Sequence, residues 1–149
     1  MRGLMGIDPG WGITVMRVAT ALIVIHAGYA KLFVWGIDKV TEIMAKYALP
    51  IPAAFAWTAT ILELFGGVAL LIGLFGRWLG LLYAIEFAVV FFWVELRTAG
   101  FSAGWLALML LASGLLLFLD GPGRAAIDSL WLEKVPRTPR YVKRGRSPA

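Results

Sequence analysis

The 149-residue chain has no cysteine and a single histidine, His26. The first absence excludes disulfides, iron–sulfur clusters, thiolate metal sites and any thiol–disulfide relay. The second rules out bis-histidine haem within one chain. Charge is scarce as well: 15% of residues are Asp, Glu, Lys or Arg, whereas 60% are hydrophobic and the mean hydropathy is +0.82. Soluble domains carry about 25% charged and 45–50% apolar residues, so this composition makes lipid the solvent of a single domain. No phosphate loop, metal-ligand cluster or nucleophile triad can be read from the residues, and no nucleic-acid partner or metal is expected.

What the chain has instead is long apolar runs. Crossing the hydrocarbon core takes about 20 mostly apolar residues, and four runs qualify, at 13–35, 51–75, 78–94 and 99–119. The first starts late, is too long for a signal-peptide h-region of about 7–15 residues, and passes through Lys31 without an Ala-x-Ala-like cleavage site, so it is read as a retained span. The expected fold is all-α: an integral membrane four-helix bundle over residues 1–132, followed by a basic tail, 133–149.

Orientation follows from Lys and Arg, which are enriched on the cytoplasmic side. With both termini on one side, that side holds ten of them (Arg2, Arg17, Arg77, Arg124, Lys134, Arg137, Arg140, Lys143, Arg144 and Arg146) against Lys31, Lys39, Lys46 and Arg97 on the other. The expectation is a bacterial or archaeal inner (cytoplasmic) membrane protein with both termini cytoplasmic, anchored there by Arg17, Arg77 and Arg124. Trp11, Trp35, Trp57, Trp78, Trp93 and Trp105 fall near span ends, as an interfacial aromatic belt requires.

The connection between the first two runs carries Ile37, Val40, Ile43, Met44 and Tyr47 at helical spacing, with Asp38, Lys39, Glu42 and Lys46 between them. This predicts a short amphipathic helix in the outer interface, stopped by Pro50 and Pro52 as the second span begins. The turn Gly76-Arg77-Trp78 makes spans two and three antiparallel neighbours. After Leu119, Asp120-Gly121-Pro122-Gly123 ends the last span. A short interfacial helix over 124–132 is expected there, with Ile127, Leu130 and Trp131 inward. The basic tail cannot bury apolar surface on its own; anionic lipid or a partner protein is its expected contact, each basic residue contributing about 1 kcal/mol near an anionic surface.

Ionisable groups inside a bilayer cost several kcal/mol and need a partner or a purpose. Four qualify: His26, Lys31, Glu63 and Glu86. At 1.5 Å rise per residue, His26, Glu63 and Glu86 lie about 12–18 Å from the nearer counted span end, close to the midplane. Lys31 starts one turn from the outer end and can reach inward to Glu63 or snorkel to the headgroups. Two readings stay open. Either the four form a hydrogen-bonded cluster that sets helix register, or they bind a polar headgroup, such as a quinone or small acid, or relay a proton. Gly28, Gly66, Gly67 and Gly73 are expected to allow close helix packing.

The segments His26-Ala27-Gly28-Tyr29-Ala30-Lys31-Leu32-Phe33, Tyr47-Ala48-Leu49-Pro50-Ile51-Pro52, Glu63-Leu64-Phe65-Gly66-Gly67, Gly73-Leu74-Phe75-Gly76-Arg77 and Gly121-Pro122-Gly123-Arg124 with Asp128 together resemble the DoxX family over about residues 13–130. The resemblance implies a four-helix inner-membrane protein. Its members are associated with terminal quinol oxidase, thiosulfate:quinone oxidoreductase and redox-stress assemblies, and it assigns no catalytic residue here. The expected role is an accessory or structural subunit of a quinone-linked membrane redox complex, respiratory or photosynthetic, without independent catalysis, bound to other membrane subunits or to further copies of itself. The alternative is a quinone- or small-molecule-binding component that uses the buried Glu/Lys/His cluster, with quinone or bound lipid as its ligand. A transporter is disfavoured, because four helices leave little room for inverted repeats.

Overall fold

In a computed structural model, residues 9–98 and 100–128 are described, and all regular structure among them is helical. Four helices are long and apolar enough to span a membrane: α1 (Gly10–Trp35), α3 (Pro52–Ile72), α4 (Gly76–Thr98) and α5 (Phe101–Asp120). Between the first two lies α2 (Ile37–Lys46). The expected tail (133–149), Arg2 and the part of the closing helix that holds Leu130 and Trp131 lie outside the described residues.

The amphipathic reading of α2 holds. Val40 is buried, Ile37, Ile43, Met44 and Tyr47 are partly covered, and Asp38, Lys39, Glu42 and Lys46 are exposed. Glu42 pairs with Lys46 one turn on at 2.9 Å. The hydrogen bond from Lys46, and then its charge, hold the Glu42 carboxyl below its ordinary range. α2 packs on α3, and its end is tied to α4 where the Trp93 indole donates to the Tyr47 carbonyl at 3.2 Å.

Span limits shift where the backbone turns. α3 stops at Ile72 rather than at 75, because Gly73 (φ 77°) and Phe75 (φ 53°) take left-handed conformations. The turn is therefore 73–75, and Gly76 and Arg77 open α4 instead of forming the turn. At its other end α3 begins after Ala48 and Ile51, both with positive φ, at Pro52. α4 runs on to Thr98.

Helices in lipid are not pushed together by the hydrophobic effect, so small residues decide where they touch. The most extensive contact joins α4 to α5. There, a Cβ added at Gly80 would meet the Gly114 carbonyl at 2.8 Å, and one added at Gly114 would meet the Ala84 amide at 2.8 Å. α1 packs on α3 through Gly67, where an added Cβ would lie 2.7 Å from the Ile25 side chain. Trp11, Trp35, Trp57, Trp78, Trp93 and Trp105 are all at least 40% exposed, in keeping with a belt at the span ends.

The bundle is clasped where α1 starts and α5 ends. Arg17, expected as an anchor at the cytoplasmic edge, is 2% exposed. Its Nη1 donates to the Pro122 carbonyl at 2.6 Å and its Nη2 to the Ala125 carbonyl. The loop after α5 thus supplies acceptors that the charge needs once it leaves water. Gly73 sits beside this guanidinium, where a Cβ would lie 2.6 Å from both Nη1 and the Ala126 Cα. The Asp128 carboxylate then accepts from the Phe75 amide (3.1 Å) and the Gly76 amide (2.8 Å), satisfying orphan donors at the start of α4. Ala126 is buried in this clasp, whereas Ile127, expected inward, is 39% exposed. Arg77 and Arg124 are exposed at the same end. Arg17→Lys keeps the charge but loses the fork that reaches two carbonyls. Leaving one buried carbonyl unpaired should lower stability by about 1–3 kcal/mol, read as a drop in thermal unfolding temperature in detergent; an unchanged temperature would count against the clasp.

Candidate functional site

The second polar centre lies among α1, α3 and α4, and it begins with a glycine. A Cβ at Gly28 would stand 2.6 Å from the Leu64 amide nitrogen and 3.0 Å from the Glu63 carbonyl carbon, so here the backbones of α1 and α3 are in contact. Lys31, three residues further on, then lies close enough for its Nζ to donate to Glu63 Oε2. The Glu63 side chain is 3% exposed and that of Lys31 is 18% exposed.

Both partners sit in π-helical turns, Ala30–Trp35 in α1 and Leu62–Gly66 in α3. A π turn widens the helix by one residue and is frequent at functional positions. The Leu62 carbonyl, at the start of the α3 turn, accepts from the Tyr83 hydroxyl of α4 at 2.8 Å. Tyr83 is fully buried, and Gly66 leaves room for its phenol, since a Cβ there would lie 3.0 Å from the hydroxyl. Three residues after Tyr83, on the same face of α4, is Glu86. Its Oε2 is buried and has no hydrogen-bond partner. Glu86 lies within electrostatic reach of both Glu63 and Lys31. Counting 1.5 Å per residue from the clasped end, Glu63 and Glu86 stand at about the same depth, near 14–15 Å.

Of the four residues singled out from sequence, the structure thus brings together Lys31, Glu63 and Glu86 and leaves His26 out. His26 is exposed on the outside of α1. It precedes the seating residue Gly28 by two positions, which turns it about 200° around the helix, nearly opposite the contact with α3. Tyr83 was not among the residues singled out. A tyrosine in mid-span, away from the interface and at i, i+3 to a glutamate, is the signal that points to it.

The arrangement combines a satisfied ion pair, a phenol committed to a backbone carbonyl, and a carboxyl oxygen left open. Such a set can hold three helices in register. It also presents a buried carboxyl oxygen of Glu86 without a hydrogen-bond partner in the protein, to which a polar headgroup with its apolar body in the bilayer could bind.

The sequence profile described as DoxX matches residues 12–96, more than half of the chain, and all four residues of the site fall inside the match. The inner membrane protein YphA of Escherichia coli (strain K12) is 28% identical over 127 residues, covering 78% of this chain and 87% of the relative. No solved structure matches the chain. Sequence profile and four apolar spans agree: the chain is a membrane protein and belongs to the DoxX family.

Proposed function

We propose that the protein is a small-molecule-binding component of a quinone-linked membrane redox assembly, with Lys31, Glu63, Tyr83 and Glu86 as the site. The observation that carries this reading is the buried, unpartnered Oε2 of Glu86 beside an ion pair that is already satisfied. An open polar atom away from water is destabilising, and at Glu86 it lies on a carboxyl in mid-span, whereas the other buried atom without a partner among the described residues, Arg17 Nε, belongs to a guanidinium that already donates to two carbonyls. The ligand's head binds at the midplane and its tail stays in lipid, a geometry that suits a quinone or another amphipathic lipid. Membership of the DoxX family, some of whose members are associated with quinone-linked assemblies, supports the redox context, and the name of the relative supports an inner membrane. In the sequence, the excess of Lys and Arg in the two terminal segments and the second connection supports placing both termini in the cytoplasm.

The test is gentle solubilisation of native membranes, purification of the full chain with whatever accompanies it, and mass spectrometry of the extracted small molecules. A quinone or other lipophilic compound recovered with the wild-type chain and lost on Glu86→Met is expected. Recovery inside a redox complex with no such compound would remove the site and leave an accessory subunit. Recovery of the same compound from Glu86→Met would place binding elsewhere.

A further inference from the structure

His26 lies outside the polar site, and its own position needs an account. It stands nine residues from Trp35 and sixteen from Gly10, the two ends of α1, or about 13 and 24 Å. An imidazole is too short to reach the headgroups from there. The side chain is exposed on the outer face of the helix and makes no hydrogen bond within the described residues. A polar ring open to hydrocarbon is costly, and ionisable side chains within spans face protein or water. Lipid therefore does not suit this face of α1.

The residues around His26 show what does. Gly12, Val15, Ala19, Leu22, His26 and Tyr29 alternate at steps of three and four, the 3.5-residue period of helices that pack along their length, and all six are exposed. Gly12 and Ala19 are small enough to let a second backbone approach. We propose that a second copy of this chain covers the seam, its α1 running parallel, with the two His26 imidazoles hydrogen-bonded to each other at the two-fold axis. Copies of one chain insert in the same direction, so an axis along the membrane normal sets each seam residue opposite its own counterpart at the same depth. A neutral imidazole has one donor and one acceptor nitrogen and is complementary to itself. Among the described residues no other ionisable side chain is exposed in mid-span, since Arg77, Arg97 and Asp120 lie at span ends. The exposed Thr58 of α3 offers a hydroxyl, but a contact from His26 to Thr58 joins unlike faces and does not close a dimer. The inference is independent of the reading of the site among α1, α3 and α4.

The chain has no cysteine, so single cysteines report contacts without background. Ala19→Cys and Leu22→Cys on the seam, and Met109→Cys on the exposed face of α5, would be made in the full chain and oxidised with copper phenanthroline in native membranes. The two seam variants should give a disulfide product of twice the chain mass, and Met109→Cys should give little. Self-association of the purified chain, followed by energy transfer on dilution into liposomes, measures what the imidazole adds. His26→Leu should raise the dimer dissociation constant about three- to tenfold, while His26→Gln, which keeps a donor and an acceptor, should retain most of the affinity. An unchanged thermal unfolding temperature of His26→Leu ties the loss to the interface; if that variant does not fold, His26→Gln and the cross-links decide. Equal cross-linking at Met109→Cys and Leu22→Cys, a seam product of any other mass, or a dimer as tight in His26→Leu as in the wild type overturns the inference. A product of another mass would place a different protein on this face.

Discussion

Lys31→Met should destabilise the folded protein by about 3 kcal/mol, and Glu63→Met added to it should restore most of that loss. The reason is the asymmetry of a buried ion pair. Two charges taken out of water are expensive, but they compensate each other, and removing one strands the other in a medium that cannot solvate it. Glu63 is the more deeply placed partner, with its side chain 3% exposed against 18% for Lys31. Stranding Glu63 should therefore hurt more than stranding Lys31, whose long stem can carry the ammonium toward the headgroups in Glu63→Met. Unfolding of the two single variants and the double variant in the same detergent closes a double-mutant cycle. Single effects that simply add in the double variant would mean that Lys31 and Glu63 are not coupled.

Gly28→Ala is the second large effect, and here the sign is not obvious from sequence. In the middle of a helix, alanine is favoured over glycine by about 1 kcal/mol. At Gly28, however, the new methyl meets backbone: the Leu64 amide at 2.6 Å and the Glu63 carbonyl carbon at 3.0 Å, neither of which can rotate away. α1 and α3 must separate. Overpacking of this kind costs about 1–3 kcal/mol, and the upper part of that range is expected because the obstacle is main chain. The shift also draws Lys31 off Glu63, so Gly28→Ala should weaken binding at the site more than an outward-facing change such as His26→Ala does. Equal stability and binding in the two variants would refute the close approach.

Much of this was legible in the residues. Apolar runs of span length are dictated by the thickness of the bilayer, and the period of Ile37, Val40, Met44 and Tyr47 marks a helix that lies against the bundle. Lys31, Glu63 and Glu86 stand out because an ionisable group within an apolar run is rare. Tyr83 was less visible: its mid-span position three residues before Glu86 marks it, but a tyrosine in an apolar helix usually reads as packing, and its hydroxyl's partner in another helix is what places it in the site. His26 carried the opposite error: its residue type drew attention, but its angular position on α1 faces it outward. The π turns at Ala30–Trp35 and Leu62–Gly66 have no sequence pattern of their own, and they bear the two charged partners.

By itself, the sequence determined that the chain is helical, that it crosses lipid four times with an amphipathic helix after the first span, and that it carries charges inside the bilayer. These are consequences of composition and period, which act through local geometry and transfer from water. Only the tertiary structure decided which charges meet. The two Nη groups of Arg17 donate to carbonyls 105 and 108 residues away, and Glu63 is paired with Lys31 across 32 residues. It also left the Oε2 of Glu86 open. Such pairings depend on the rotation of each helix about its axis and on where glycines let backbones touch, and neither is encoded in the spacing of apolar residues along one chain.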